Sequence, residues 1–186
     1  MLAFEKKYET IERVENFGGF LLLRQLQPND SILNMQDAEI ITDIISSKFH
    51  YWEGEKEPSG LTVGMSSSDK YKNVRNWTLE HHKFYGFFDN SKIKHEHYKL
   101  ISLDNFQNDL LTAIRTETDN DPKFIDKATV LLKDRFAKTT SIYYLDLDKK
   151  INADMVAEWQ VYDFFYAFIA IDRQKNIVTL IEFGLD

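Results

Sequence analysis

Apolar and aromatic residues are most concentrated near the end of the chain, between positions 159 and 183. Residues 164–171 contain no polar break, which is typical of a strand that is covered on both faces. The polar residues 172–176 form a loop of hairpin length, in which Asn176 can take a left-handed backbone at little cost. Residues 177–183 then return, which predicts an antiparallel hairpin in the middle of a sheet. Six of its apolar residues should lie in or near the core: Phe164, Phe168, Ile169, Ile177, Leu180 and Ile181.

A second hairpin is predicted at the start of the chain. Residues 4–14 alternate loosely between apolar and charged side chains, and residues 20–26 form a denser apolar run. The turn signal Asn-Phe-Gly-Gly at 16–19 separates them. Shorter strands are predicted at 98–103 and 142–147.

Apolar residues at helical spacing occupy the middle of the chain, and several of these stretches begin with a capping signal. The predicted helices are 35–48 behind the N-cap Asn34, 104–116 beginning at the N-cap Asp104, 122–137 with Pro122 in its first turn, and, less regularly, 74–88.

No period survives over residues 50–73, which predicts a long irregular loop. Strands open and close the chain and helices fill its middle, an order that favours the α+β class over a βαβ repeat. We expect a single domain spanning residues 1–186. Its sheet should be mainly antiparallel and built from the N-terminal and C-terminal hairpins, with three to four helices between them.

The composition of the chain excludes more classes of function than any motif does. Of the 186 residues, 43% are hydrophobic, which is enough for a packed core. The net charge of −7 disfavours binding to a nucleic-acid backbone, which requires a basic face. The chain has no cysteine, so disulfides and thiolate zinc sites are excluded. Its start does not resemble a signal peptide, and no apolar run approaches the roughly 20 residues that span a bilayer. We therefore expect a cytoplasmic protein without a membrane partner.

A metal site is one alternative, because all five histidines lie between positions 50 and 97. On a strand, His95 and His97 would present both imidazoles on one face. Together with His81 they would supply three nitrogen ligands and leave an open position, as catalytic zinc requires. Lysines on both sides of the pair disfavour a divalent metal, so we expect no cofactor and keep the site only as an alternative.

A pair of acids is the second candidate for chemistry. Asp146 and Asp148 lie two apart on a predicted strand, so their carboxylates would face the same way. Paired carboxylates can hold Mg²⁺ or perform acid–base work, but no third ligand is identifiable. More often such a pair is the polar face of a half-exposed strand. The sequence also contains no phosphate-binding glycine loop and no nucleophile elbow.

The most informative cluster lies in the predicted loop, where two large aromatic residues stand beside three alternating acids. Tyrosine and tryptophan dominate the centres of protein interfaces, and acids around them would steer a basic partner. The competing interpretation is that the aromatic residues fold back and pin the loop while the acids are solvated. The candidate partner-binding residues are Tyr51, Trp52, Glu53, Glu55 and Glu57.

These features favour a non-enzymatic binding protein over an enzyme. A small, acidic, cysteine-free chain without a catalytic signature suits a bacterial immunity or antitoxin-type protein that neutralises a basic toxin by direct binding. One alternative is a metal-dependent hydrolase that uses the histidine cluster. Another is a regulatory or structural subunit of a larger complex.

Overall fold

The computed structural model describes residues 1–14, 19–53, 83–86, 88–133, 135–136, 140–148, 150–155 and 164–185. Nine strands and three α-helices lie within these ranges. The strands are β1 (Phe4–Arg13), β2 (Phe20–Pro28), β3 (Trp52–Glu53), β4 (Lys83–Tyr85), β5 (Phe88–Asp89), β6 (Tyr98–Ile101), β7 (Ser141–Leu145), β8 (Phe164–Asp172) and β9 (Ile177–Leu185). The helices are α1 (Asp37–Ile45), α2 (Leu103–Glu117) and α3 (Pro122–Leu132).

Six of the strands form one antiparallel sheet in the order β1-β2-β9-β8-β7-β6. The remaining three form a small antiparallel sheet in the order β3-β4-β5. Strands lie at both ends of the chain and the helices lie between them, so the predicted α+β class is confirmed. No helix in the described ranges is both long and apolar enough to cross a membrane.

The predicted C-terminal hairpin lies at the centre of this sheet, where β8 and β9 pair along their whole length. Asn176 takes the left-handed conformation in the turn, with φ of 54°. Its side-chain oxygen accepts a hydrogen bond from the Ile32 backbone at 2.9 Å, and its carbonyl accepts one from the Gln27 side chain at 2.8 Å. The turn therefore also fixes the loop that leaves β2.

Both faces of the large sheet are covered. On one face α2 and α3 pack through Phe106 and Phe124 against sheet residues such as Phe168 and Phe183. On the other face α1 and the small sheet pack on residues such as Ile169. The protein therefore has a central sheet with a different layer on each side.

Two predicted helix starts need correction. The N-cap of α1 is Gln36, which forms a capping box with Glu39, so the helix begins two residues later than predicted behind Asn34. The N-cap of α2 is Ser102, whose hydroxyl accepts from the Asn105 backbone at 3.1 Å. In each case a polar residue near the true start resembled a cap, and local spacing alone does not separate neighbouring caps.

The predicted helix at 74–88 is wrong over its last part, where β4 and β5 form instead; residues 74–82 lie outside the described ranges. Short aromatic runs fit either a strand or a helix, and tertiary packing decides between them. Here Tyr85 is fully buried, and Gly86 takes φ of 59° in a turn against the ring of Phe165. Helix α3 is also shorter than predicted, because it ends at Leu132.

Four of the six predicted core residues of the hairpin are buried, namely Phe168, Ile169, Leu180 and Ile181. Ile177 is half-buried. Phe164 is 38% exposed, so its placement in the core was wrong. It begins β8, where an unbroken apolar sequence continues beyond the layer that covers the strand.

We expect Phe168→Ala to lower the free energy of unfolding by about 3–5 kcal/mol, because a buried aromatic side chain leaves a cavity. Phe168 is 1% exposed and packs against Phe106 with ring centroids 5.0 Å apart. Phe164→Ala removes the same atoms at an exposed position of the same strand, and should cost under about 1 kcal/mol. Urea melts of both variants test this, and equal losses would contradict the assigned burial.

Candidate functional site: an acidic tyrosine surface and a buried polar cluster

The described part of the predicted binding loop is its beginning. Tyr51 is half-buried, and its hydroxyl accepts a hydrogen bond from Lys83 Nζ at 2.9 Å. The same ammonium lies 4.1 Å from the centre of the Tyr51 ring. The backbone of Trp52 and Glu53 forms β3, an outer strand of the small sheet. The other two acids, Glu55 and Glu57, lie outside the described residues.

The histidine pair lies in a single 3₁₀ turn, His95–His97, rather than on a strand. Nδ1 of His97 accepts a hydrogen bond from the Lys94 backbone at 3.1 Å, and Nδ1 of His95 lies 3.7 Å from a carboxylate oxygen of Glu96. The two imidazoles therefore do not have the strand geometry on which the metal hypothesis depends. His81 lies outside the described residues, and within them no three histidines or acids are grouped as metal ligands.

The two acids Asp146 and Asp148 follow β7, which ends at Leu145, so the predicted strand position is wrong. The Asp146 backbone donates to the carbonyl of His97 at 2.8 Å. Asp148 Oδ1 accepts from the Lys150 backbone at 2.6 Å and so begins a turn. The side chain of Asp148 thus offers the backbone that follows it a local partner, as is typical of aspartate in turns.

Both acids belong instead to a surface that the sequence did not reveal, which we call the acidic tyrosine surface. It combines two half-buried tyrosines from adjacent strands with carboxylates from α2 and from the segment after β7. Its members are Tyr144, Tyr166, Asp109, Glu117, Asp146 and Asp148.

The tyrosines are held by the aromatic core beneath them. The ring of Tyr144 packs on Phe168 with centroids 5.2 Å apart, and the ring of Tyr166 stacks on Phe183 at 6.2 Å. Phe164 lies two residues before Tyr166 on β8, and therefore on the same face, at its exposed end. The two tyrosine rings are therefore held in place by the core.

The carboxylates of the acidic tyrosine surface contribute to raised pKa values of its two tyrosine hydroxyls. Burial, followed by the charges of Tyr166, Asp146, Asp109 and Asp148, raises the pKa of Tyr144 to about 12. Burial and the charge of Glu117 raise the pKa of Tyr166. The tyrosines therefore remain neutral hydrogen-bond donors among carboxylates.

One lysine stands beside this surface on the edge strand of the sheet. Lys99 of β6 is the Cα partner of Tyr144, and its ammonium donates to the carbonyl of Glu96 at 2.8 Å. A surface with aromatic anchors, neutral hydroxyl donors and four carboxylates is suited to a partner that presents lysine or arginine, through ion pairs and cation–π contacts.

A second group of polar side chains lies inside the opposite face of the sheet. We call it the buried polar cluster and define it as His50, Tyr85, Asn90, Tyr98 and Glu182. None of these residues is more than 7% exposed. They come from the turn after α1, from the small sheet, from the 3₁₀ turn that follows it, from β6 and from β9.

The hydrogen bonds around His50 fix its tautomer. Asn90 Nδ2 donates to the Ile45 carbonyl at 3.1 Å, so its Oδ1 faces His50 Nδ1 at 2.7 Å and accepts from it. His50 Nε2, 2.7 Å from the Tyr98 hydroxyl, is then the acceptor of that hydroxyl's proton. Burial lowers the pKa of His50 to about 3, against the opposing effect of the Asn90 hydrogen bond. The imidazole is therefore neutral.

Glu182 is the unusual member, because it is a carboxyl group in the central strand β9 that is 1% exposed. Its Oε2 and the Tyr85 hydroxyl have no hydrogen-bond partner among the described residues. Burial raises the pKa of Glu182 to about 7, although Arg24 and the nearby Tyr85 hydroxyl act to lower it. Arg24 itself is bound elsewhere, to Glu9 and to the Phe49 carbonyl, each at 2.5 Å.

These groups include an acid, a base and two hydroxyls, but they form part of the packed interior in the described structure. The sequence contained one signal for them, a single charged residue in the predicted strand Ile-Val-Thr-Leu-Ile-Glu-Phe. For the acidic tyrosine surface there was no such signal, because adjacent strands and α2 bring its residues together only in the fold.

Comparison of the chain with family models, with curated proteins and with solved structures gave no match.

Neutralising the acids of the surface should change the titration of its tyrosine. In Asp146→Asn/Asp148→Asn we expect the pKa of Tyr144 to fall below its value of about 12, because two of the charges that raise it are removed. Tyrosine ¹³Cζ chemical shifts measured against pH report this directly. The matched control Glu5→Gln, on the distant strand β1, should leave the Tyr144 titration unchanged; an equal change in both would contradict the grouping.

Two buried groups should have opposite effects on stability between pH 4.5 and 6.5. The folded pKa of His50 is lowered from 6.5 to about 3, so its contribution is present above pH 6.5 and is lost as pH falls. The folded pKa of Glu182 is raised from 4.5 to about 7, so its contribution is present below pH 4.5 and is lost as pH rises. In the native protein these two dependences oppose each other.

Single variants should therefore reveal each slope. In Glu182→Gln, the free energy of unfolding should fall as pH drops from 6.5 to 4.5, by up to about 1.4 kcal/mol per pH unit. In His50→Gln it should rise over the same interval. Urea melts at several pH values test both, with His95→Gln as the control at a half-buried histidine outside the buried polar cluster. Slopes of the same sign in the two variants would refute the assignment.

Proposed function

We propose that this protein is a protein-binding module of the bacterial immunity or antitoxin type, which neutralises a basic toxin by direct contact in the cytoplasm. The observation that carries the proposal is the acidic tyrosine surface. It supplies the combination of neutral aromatic anchors and surrounding carboxylates that the sequence-based hypothesis requires of a partner-binding site.

In this proposal the tyrosines contribute binding free energy as the anchors of the interface. An interface anchor loses little conformational entropy if it is rigid before binding. Tyr144 and Tyr166 meet this condition, because each is half-buried and packed on a core aromatic ring. Neither hydroxyl donates a hydrogen bond within the described residues, so each can serve as a donor to a partner's carbonyl or carboxylate group.

In this proposal the carboxylates raise the rate of association with the partner. Asp109, Asp146 and Asp148 are exposed, so their effect on a partner is long-range attraction more than tight pairing. Such charges raise the association rate with a basic protein, and salt reduces this effect because it screens attraction between charges more than about 10 Å apart at 0.1 M. The net charge of −7 acts in the same direction.

The loop predicted from the sequence is the competing surface within the same function. Its beginning is bound to Lys83 through Tyr51, which favours the interpretation that the aromatic residue pins the loop. We therefore place the main contact at the acidic tyrosine surface and keep residues 51–57 as a second arm of the experiment.

The function is tested with a partner identified by cross-linking in the native cell and then purified. Co-expression with that partner should restore growth if the partner is a toxin. In direct binding measurements, Tyr166→Ala should weaken affinity by at least about 2 kcal/mol, or roughly 30-fold, as central aromatic anchors do. Trp52→Ala is measured in parallel, and a large loss there with none at Tyr166 would move the interface to the loop.

The charge variants distinguish long-range electrostatic attraction of the partner from direct contact at the interface. Asp146→Lys/Asp148→Lys should slow association and make it less sensitive to salt, with a small change in the dissociation rate. The control Glu5→Lys/Asp126→Lys makes the same change of net charge beside β1, three strands away from β8. Identical kinetics in the two double variants would show that only net charge matters and would reject this surface.

A further inference from the structure

Among the described residues, the buried polar cluster is a contact between the small sheet and the central sheet. Tyr85 of β4 stacks on His50 with ring centroids 3.7 Å apart, and it meets Phe165 of β8 edge-on at 5.1 Å. Next to it, a Cβ on Gly86 would lie 2.2 Å from the Phe165 ring, so the turn of the small sheet is pressed directly against the strand.

Two buried polar groups in this contact have unmet hydrogen-bonding capacity. Oε2 of Glu182 and the hydroxyl of Tyr85 are both buried, and neither makes a hydrogen bond of good geometry to a described residue, although the Tyr85 hydroxyl is close enough to lower the pKa of Glu182. A neutral carboxyl group without a well-aligned hydrogen bond costs moderately in such a place, whereas a buried unpaired carboxylate costs much more. The contact is therefore more stable when the carboxyl group carries its proton.

We propose that Glu182 is a proton-operated latch, which holds the small sheet on the central sheet when its carboxyl group is protonated and loosens that contact when the group is ionised.

Among the described residues around Glu182, no other group changes its charge near neutral pH. The charged groups that face it are Glu9 from β1 and Arg24 from β2, and these two pair with each other. Tyr85 from β4 and Tyr98 from β6 face it as well, and burial raises the pKa of each well above 10.

His50, which belongs to the turn after α1, stays neutral because burial lowers its pKa to about 3. Asn90 does not titrate. Between pH 5 and 8, ionisation of Glu182 is therefore the event within the described cluster that alters its charge. Its pKa near 7 places that event in the physiological range.

The consequence would be local. Opening the contact frees β4 together with β3, the strand at which the predicted binding loop begins, while α2 and α3 hold the other face of the sheet. The latch does not depend on the proposed function, because it requires no partner.

Amide hydrogen exchange of β4 and β5 tests the latch. The measurement uses the His50→Gln background, so that exposure of His50 during opening does not oppose the titration of Glu182. After correction for the intrinsic pH dependence of exchange, the opening equilibrium of β4 should rise by roughly 70-fold from pH 5 to pH 8, the ratio expected for a group whose pKa changes from 4.5 when open to about 7 when closed.

Two comparisons decide the result. Adding Glu182→Gln, which cannot ionise, should abolish the pH dependence. The amides of β4 should also exchange faster than those of β8 and β9, which shows that opening is local and not global unfolding. A pH dependence that persists with glutamine at position 182, or β4 exchange that equals β8 exchange at every pH, would overturn the proposal.

Should the His50→Gln background fail to fold, wild type and Glu182→Gln are compared between pH 6.5 and 8.5. His50 opposes the titration less in this range, and the Glu182 contribution alone amounts to about a fourfold rise. A rise in the wild type that is absent in Glu182→Gln supports the latch, and the same rise in both rejects it.

Discussion

The structure depends on covering both faces of the β8–β9 hairpin. Residues 167–171 are buried without interruption, so neither face of β8 can remain in contact with water. Apolar area on a strand in the middle of a sheet is stabilising only when a second layer removes it from solvent. The two helices on one face and the mixed layer on the other are both consequences of this requirement.

The two covering layers pack on the sheet through different kinds of interaction. Helices α2 and α3 bury aromatic residues such as Phe106 and Phe124 against the sheet, and apolar packing of this kind is strong but has little directionality. In the other layer, His50 connects Asn90 to Tyr98 of β6 through two hydrogen bonds, which fix one arrangement. Buried polar groups of this kind tolerate few alternatives, because each lost partner costs free energy.

The sequence was sufficient for the elements that repeat one period over many residues. Both hairpins, the central position of the C-terminal hairpin in the sheet and the α+β class follow from such patterns. It was not sufficient where the outcome depends on distant residues. The short aromatic stretch around Tyr85 becomes a strand because it meets His50 and Phe165, which lie far away along the chain. The acidic tyrosine surface escaped notice for the same reason, since Asp109 and Tyr144 meet only after α2 packs on the sheet.

Strand β8 connects the two features that we assign to function. Successive side chains of a strand point to opposite faces, so Phe165 supports the small sheet while Tyr166 belongs to the acidic tyrosine surface. Both residues are held by the same backbone, which pairs on one side with β9. A strand at the centre of a sheet has little freedom to shift, because a change of register would expose its buried residues. The acidic tyrosine surface is thus fixed by the hydrophobic constraint that governs the fold, whereas the small sheet on the opposite face rests on the contact to which we assign the proton-operated latch.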